Sequence, residues 1–332
     1  MSKQDRPINS QTTSAANLPI ATLKLDSFEP EAMDQTVRGS SFDHVQLSPG
    51  RFQGTLLRAH FDSDRWLDWG CYNRPLLVRG ELPGNKVTLG IVAGPAGELG
   101  PGILNGYEIT RPTAFFMNEG AELHYKLPGQ SPWLALQFAR DRLEDIVRVS
   151  LGHASGPLGS DTEDNLHGLG ELMATVRVIQ DMARGSRDIP DPERCLRQVE
   201  ARLLDFFTAA CAPVAPTSLR KASYLAEAAR LVRRATDMMD ANLGEPLRIG
   251  AICRDIGCDW KRLERAFLAV HGVAPKRFLA LKRLSRARRL LRMGKSGTSV
   301  TDVAAACGIQ HLGRFSREYF QLFAERPSDT LR

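Results

Sequence analysis

The stretch IGAICRDIGCDWKRLERAF, residues 249–267, is written a second time as VTDVAAACGIQHLGRFSREY, residues 300–319. In each copy apolar residues recur at i, i+3, i+4 and i+7, a spacing that predicts one buried helix face. They are Ile249, Ile252, Cys253 and Ile256 in the first copy, and Val300, Val303, Ala304 and Cys307 in the second. The runs stop at Gly257 and Gly308, and glycine tolerates the left-handed turn that ends many helices.

A second amphipathic segment follows each glycine. Leu263 leads the first segment and Phe315 the second, and twelve residues later the copies reach Pro275 and Pro327. Helix, glycine turn and basic helix form the helix-turn-helix plan, whose second helix enters the DNA major groove. The repeat therefore predicts helix-turn-helix units at 247–272 and 298–323, within an all-α DNA-binding domain at 223–332.

The charge is distributed unevenly between the two parts of the chain. Residues 223–332 carry 21 Lys and Arg against 11 Asp and Glu, a net charge of +10, whereas residues 1–222 carry 23 against 27, a net charge of −4. A basic module beside an acidic one is typical of a phosphate-binding domain attached to a partner domain. The alternative is that the basic residues only form solvated helix faces.

The end of the chain carries a family resemblance. The segments AACGIQHLGRFSREYF, residues 305–320, and PSDTLR, residues 327–332, resemble the signature of AraC/XylS-type transcription regulators, and LGRF resembles the XylS-like branch. Gln310 and His311 depart from the usual pattern, in which a small polar N-cap is common. The resemblance implies double-stranded DNA, RNA polymerase and an unidentified small-molecule effector as partners, a homodimer, and more often activation than repression.

Several outward side chains are candidates for reading DNA. The resemblance, carried across position by position, implies base contacts by Lys261, Glu264, Arg265, Arg314 and Arg317. Arginine can bind guanine O6 and N7 with two hydrogen bonds, and glutamate can accept from cytosine N4. The alternative is that some of these residues contact only phosphate. We predict phosphate contacts for Arg262, Lys276, Arg277 and Lys295.

The segment between the two units predicts one long helix, from Pro275 to Arg292. Its apolar residues recur at steps of three and four, so we expect a rigid spacer that holds the recognition helices about one DNA turn apart, ~34 Å. Basic side chains at its ends are the candidates for phosphate contact, whereas those in its middle are expected to be solvated.

The N-terminal region predicts a different fold. Residues 1–40 are polar with little periodicity and predict a flexible tail. Within 41–212, short apolar runs separated by Gly and Pro predict an antiparallel barrel or sandwich. The resemblance implies a cupin-like β-barrel sensor and dimerisation domain there. Residues 213–222, with two prolines, predict a linker. The fold class is thus a two-domain α+β chain.

One predicted helix, residues 193–210, has a nearly heptad apolar seam formed by Leu196, Val199, Leu203, Phe206 and Phe207. Two interpretations remain open. The seam pairs with the same helix of a second subunit, as the resemblance implies, or it packs on its own domain.

Signs of catalysis are few. The histidines are scattered with no His-x-His pair, so we expect no catalytic metal, no cofactor and no enzyme activity. No apolar run approaches the ~20 residues that span a bilayer, and the polar start lacks a signal-peptide core, so we expect a cytoplasmic protein without membrane contact. The rival hypotheses are a β-barrel enzyme tethered to DNA and a DNA-binding regulator without an effector.

Overall fold

The computed structural model describes residues 20–61, 64–92, 100–147, 156–157, 163–185, 191–210, 219–295 and 297–331. A β-rich N-terminal region is followed by three helices and then by an all-α C-terminal region. The two-domain α+β class is therefore confirmed.

The strands form two antiparallel sheets. One has the order β1-β3-β4-β11-β6-β9-β12 and the other the order β2-β5-β10-β7-β8. The two sheets share no ladder among the described strands, so the sandwich is the correct alternative and the hydrogen-bonded barrel is not. The strands are β1 (Ile20–Leu25), β2 (Ser41–Gln46), β3 (Gly54–His60), β4 (Trp66–Tyr72), β5 (Leu76–Glu81), β6 (Val87–Val92), β7 (Gly102–Leu104), β8 (Tyr107–Ile109), β9 (Thr113–Met117), β10 (Glu122–Leu127), β11 (Trp133–Phe138) and β12 (Gly156–Pro157).

Three helices, α2 (Arg140–Val147), α3 (Glu163–Arg184) and α4 (Pro192–Ala210), follow the sheets. The α4 seam packs with α3 and with residues of the seven-stranded sheet in one core, and Leu203 and Phe207 are fully buried there. The structure does not support the interpretation that this seam pairs two subunits, because Leu196, Val199, Leu203 and Phe207 are already buried within one subunit. Its alternative, packing on its own domain, is confirmed.

Residues 20–40 are not a tail, which corrects the boundary predicted at residue 40. They form β1, which pairs with β3 along its whole length, and the short helix α1 (Pro30–Met33). Leu25, Phe28 and Met33 are buried, and burying these apolar side chains stabilises the segment. Residues 1–19 lie outside the described residues.

The C-terminal region begins earlier than predicted, because α5 runs from Leu219 to Ala241. Residues 219–222 therefore belong to a helix and not to the predicted linker, and 213–218 lie outside the described residues. The two predicted helix-turn-helix units and their spacer coincide with the observed helices, which are α6 (Ile249–Ile256), α7 (Trp260–His271), α8 (Pro275–Arg292), α9 (Val300–Ala306), α10 (Leu312–Phe323) and α11 (Pro327–Thr330).

The two regions share one apolar core. A single cluster joins the five-stranded sheet and α1 to the helices of the repeat. Within it the rings of Phe28 and Phe323 stack with centroids 5.7 Å apart. The C-terminal helices are therefore packed directly on the N-terminal sandwich.

Candidate nucleic-acid interface

The first helix-turn-helix unit has the turn that its glycine predicts. Gly257 adopts φ 70° and ψ 41°, and its N–H donates to the Arg254 carbonyl at 3.2 Å. Asp259 caps α7, because its carboxylate accepts the Arg262 backbone N–H at 2.8 Å. The same N–H lowers the pKa of the Asp259 carboxyl. The start of this recognition helix is thus fixed by the turn and the cap together.

The second unit repeats the turn with a weaker cap. Ser299 caps α9 by accepting the Asp302 N–H at 3.1 Å, and Gly308 adopts φ 66°. His311 stands at the N-cap of α10 but its side chain makes no capping hydrogen bond. The departure noted at Gln310 and His311 therefore leaves the helix intact and removes only the side-chain cap.

The predicted base-contact residues lie on the outward sides of α7 and α10. Lys261, Arg265, Arg314 and Arg317 are exposed, and Glu264 is partly exposed. Two of the arginines in these units already have acidic partners: Arg314 binds Glu318 at 2.8 Å, and Arg262 binds Glu227 at 2.5 Å. Arg265 and Arg317, at matching repeat positions, form no ion pair within the described ranges.

The predicted phosphate contacts lie around the ends of the spacer helix. Lys276 is exposed and Arg277 partly exposed in the first turn of α8, and Lys295 is exposed two residues beyond its C-cap. Cationic side chains in these positions fit a phosphate backbone. Their contact with DNA stays a prediction.

The middle of α8 differs from the prediction. Lys282 is buried and binds Asp43 of β2 at 3.1 Å and Asp240 of α5 at 2.6 Å. The fully buried Arg288 binds Glu325 at 2.5 Å and donates to the Phe28 carbonyl. The expectation of solvated side chains is wrong for these two residues, because the N-terminal region covers this face. Asp43 and the Phe28 carbonyl from that region, with Asp240 and Glu325 from the C-terminal region, supply the oxygens that buried cations need.

Other contacts join the sandwich to the DNA-binding helices. Arg79 of β5 pairs with Asp237 and Asp240 of α5. The Gln46 side-chain amide donates to the Leu322 carbonyl at 2.7 Å, so it satisfies one of the carbonyls left open at the end of α10. The interface therefore engages both the helix before the repeat and the second recognition helix.

Two buried histidines meet at this interface. The rings of His124 on β10 and His271 on α7 have centroids 5.0 Å apart, and His271 stacks on Phe278 at 4.4 Å. Burial lowers the pKa of His124 to about 3 and, helped by the nearby positive charges, lowers the pKa of His271 well below its ordinary value. Both imidazoles are therefore neutral at pH 7.

A cavity of about 70 Å³ lies between the two sheets. Its lining is apolar apart from a few buried polar groups, and the described residues that line it include no Asp, Glu, Lys or Arg. The hydroxyls of Thr88 and Tyr125 and both ring nitrogens of His44 have no hydrogen-bond partner among the described residues. Burial lowers the pKa of His44 to about 4, so the imidazole is neutral. The aromatic side chains of Tyr72, Phe115 and Trp133 also line this cavity.

The five-stranded sheet separates this cavity from the DNA-binding helices. Successive residues of a strand point to opposite faces. His44, Val78 and Tyr125 line the cavity, whereas their neighbours Asp43, Arg79 and His124 contact α8, α5 and α7. The position of this sheet between the cavity and the helices was not predicted from the sequence, because no local pattern indicates which element covers the second face of a strand.

Neither a metal-binding cluster nor a membrane-spanning helix is present among the described residues. No group of three or more His, Cys, Asp or Glu is placed to hold a metal ion among the described residues. No described helix is both long and apolar enough to cross a membrane.

Comparison with known proteins places relatives at the C-terminal end. Residues 252–332 match the family described as a helix-turn-helix domain. The probable thc operon regulatory protein of Rhodococcus erythropolis is 36% identical over 103 residues, 31% of each chain. The XylDLEGF operon transcriptional activator of Pseudomonas putida is 39% identical over 62 residues, 18% of this chain and 19% of that protein. The matched region thus spans about a third or less of these relatives' length.

Solved structures give a similar picture. A probable AraC family transcriptional regulator from Rhodopseudomonas palustris is 34% identical and matches 31% of this chain and 94% of its own, with a TM-score of 0.29. The AraC-like transcriptional activator CuxR is 17% identical and matches 86% of this chain and all of its own, with a TM-score of 0.37.

Proposed function

The C-terminal domain of this chain is an AraC/XylS-type helix-turn-helix domain, and from that premise we propose that the whole chain is a sequence-specific DNA-binding transcription regulator. The observation that carries the proposal is the pair Arg265 and Arg317. They occupy matching positions on two recognition helices, both are exposed, and neither is held by an acidic side chain in the described chain.

The roles of individual residues follow from this arrangement. Arg265 and Arg317 would read guanine, and Lys261, Glu264 and Arg314 would contact neighbouring base edges. Arg314 and Arg262 would first exchange their present carboxylate partners, Glu318 and Glu227, for DNA. Arg262, Lys276, Arg277 and Lys295 would bind phosphates and set the register of the protein on the duplex.

The cavity supports a regulator that responds to an effector. Its apolar, uncharged lining suits a small neutral molecule, whose polar groups would bind the unpaired Thr88 and Tyr125 hydroxyls. The sheet that bounds the cavity also carries Asp43, Arg79 and His124, so a ligand that shifts these strands would change how the DNA-binding helices are held. Such a ligand regulates only if it binds two states of the protein with different affinity.

RNA polymerase and a second copy of this chain are the other proposed partners. Two relatives are named transcriptional activators, the XylDLEGF operon activator and RhaS of Pectobacterium atrosepticum, and this favours activation through RNA polymerase. A homodimer is retained as a proposal, but its interface would lie outside the α4 seam, which is buried within one subunit. A cytoplasmic location is likewise a proposal.

The rival hypotheses make different demands on the molecule. A tethered enzyme needs catalytic groups in the cavity, yet the polar groups there are hydroxyls and one neutral imidazole without a carboxylate or lysine beside them. A regulator without an effector has no use for the unpaired hydroxyls at the cavity wall. The effector-responsive regulator accounts for both features.

The test begins with selection of double-stranded DNA by the full-length protein from a random library. Small neutral metabolites are then screened for a rise in melting temperature, and DNA binding is measured with and without each hit. We expect a coupling of about 1–3 kcal/mol, and the DNA should change effector affinity by the same factor. Failure to enrich any sequence would contradict DNA recognition.

A matched pair of variants tests the cavity. Tyr125→Phe removes a hydroxyl at the cavity wall and should weaken the hit, whereas Tyr107→Phe removes an exposed hydroxyl and should not. An effector that binds equally well to both variants occupies another site. A hit that binds yet changes neither DNA affinity nor transcription would contradict the sensor role.

A further inference from the structure

The starting observation is a pair of exposed apolar side chains at one repeat position. Leu268 on α7 is 49% exposed and Phe320 on α10 is 52% exposed. Leu268 follows the core residue Leu263 by five positions, and Phe320 follows the matching core residue Phe315 by five. A single exposed Leu or Phe needs no explanation. The recurrence of exposed large apolar side chains at the same position of both units indicates a shared role.

Helix geometry places this pair on the face that reads DNA. At about 100° per residue, positions 261, 264, 265 and 268 form one stripe with the spacing i, i+3, i+4 and i+7. The matching stripe on α10 is Gly313, Ser316, Arg317 and Phe320. The recognition helix of a homeodomain lies in the DNA major groove and reads bases with this same spacing. The base-contact candidates Lys261, Glu264 and Arg265 fill the earlier positions on α7, Arg317 is the candidate on the α10 stripe, and Leu268 and Phe320 fill the last position of each.

The charge around the pair argues for DNA as its occupant. Lys261 and Arg265 lie on the same stripe as Leu268, and Arg317 lies one turn before Phe320. Carboxylates are sparse on these outward faces: Glu264, which belongs to the stripe, is the one carboxylate of α7, and on α10 Glu318 is held by Arg314. A cationic stripe that ends in an apolar residue matches a groove that has phosphate walls and apolar methyl groups on its floor.

From this arrangement we infer that Leu268 and Phe320 are specificity-determining residues that contact the C5-methyl groups of thymines, one in each of two successive major-groove segments. Thymine is the base that presents a methyl group in the major groove, and apolar side chains recognise it by contact. The inference rests on the proposed function, because it requires that α7 and α10 enter the groove. It adds a thymine to each half of the recognised sequence.

The experiment removes the methyl group alone. Each thymine of the selected site is replaced in turn by deoxyuridine in a synthetic duplex, and binding of the full-length protein is measured. Loss of one buried methyl should weaken binding about fourfold. We expect this loss at one thymine for α7 and at another about one helical turn away for α10.

Variants then assign each methyl to its side chain. The deoxyuridine penalty is the loss of affinity when one thymine is replaced by deoxyuridine. In Leu268→Ala this penalty should disappear at the thymine assigned to α7 and persist at the thymine assigned to α10. In Phe320→Ala the reverse is expected. Tyr107→Ala is the matched control, because Tyr107 is an exposed aromatic residue on β8 of the five-stranded sheet, outside both recognition helices. It should keep both penalties. Melting temperatures of all three variants confirm that they fold.

The outcomes separate the inference from its premise. If no sequence is enriched, the proposed function fails before methyl groups are tested. If a site is enriched but the penalties are absent, or are the same in Leu268→Ala and Phe320→Ala as in the wild type, the inference is wrong and the proposed function stands. Variants that keep DNA binding and its penalties but lose transcription with purified RNA polymerase would also overturn the inference, because the pair would then contact the polymerase.

Discussion

Replacing His271 by phenylalanine should weaken the acid sensitivity of the protein. His271 is fully buried, neither ring nitrogen has a hydrogen-bond partner in the described part of the chain, and its ring stacks on Phe278. Phenylalanine has a similar shape, so the packing is kept while the titratable group is removed. His124 faces it from β10, and positive charges on Arg79, Lys126 and Lys282 add to the cost of protonating it.

The sign follows from the lowered pKa. Below the ordinary value of 6.5 the unfolded chain binds a proton that folded His271 does not. The contribution of His271 to the free energy of unfolding is therefore fully present above pH 6.5 and decreases as the pH drops below it. Between pH 7.5 and 5.5 the loss is about 1.4 kcal/mol per such histidine, or about 4 kcal/mol if His44 and His124 behave alike.

The assay is urea unfolding at pH 7.5 and pH 5.5. The wild type should lose about 1.4 kcal/mol more than His271→Phe between these two pH values. His311→Gln is the control, since His311 is exposed, and it should keep the full wild-type loss. If His271→Phe and the wild type lose the same free energy, His271 is not held neutral by burial and the description of the interface is wrong.

Two further predictions test the turns and the α4 seam. Gly257→Ala should lower the free energy of unfolding by about 1–2 kcal/mol, because its φ is positive but a Cβ there meets open space. Gly308→Ala should lower it by about 3 kcal/mol or more, because its Cβ would also lie 3.0 Å from two carbonyl oxygens. Equal losses of the two variants in thermal unfolding would refute this difference. Leu203→Ala should destabilise the subunit by about 2–5 kcal/mol without changing its oligomeric state. The control Arg202→Ala replaces an exposed neighbour and should change the free energy of unfolding by no more than about 0.5 kcal/mol. A Leu203→Ala protein that keeps its stability but dissociates from dimer to monomer in sedimentation would show that the seam forms the dimer interface.

The repeat was predictable from the sequence because its signals are local. The stripe spacing, the glycines and Asp259 act within a few residues, so Gly257, Gly308 and the start of α7 could be located without knowing the rest of the fold. The outward side chains of α7 and α10 could also be named, because exposure on an amphipathic helix follows from the position of its buried face. The choice of base-contact candidates among them came from the resemblance to AraC/XylS-type regulators.

The domain interface was not predictable, because its partners are far apart in the chain. In the sequence Lys282 does not differ from the other cationic residues of a basic helix. Its partner Asp43 lies about 240 residues away in the chain, and only the fold brings the two together. The same holds for His124 and His271, whose meeting depends on the packing of β10 against α7. Residues 20–40 were misjudged because the six-residue alternation of β1 is too short to stand out in a polar segment.

The most direct test of the central claim is base-pair-resolved binding of Arg265→Ala and Arg317→Ala to the selected DNA. Each variant should lose about 1–3 kcal/mol at the specific site and relax the preference at its own base pair. The two relaxed positions should lie about one helical turn, 10–10.5 base pairs, apart. If both variants weaken binding to every sequence equally, these arginines contact only phosphate, and the claim that the two repeated helices read the sequence is contradicted.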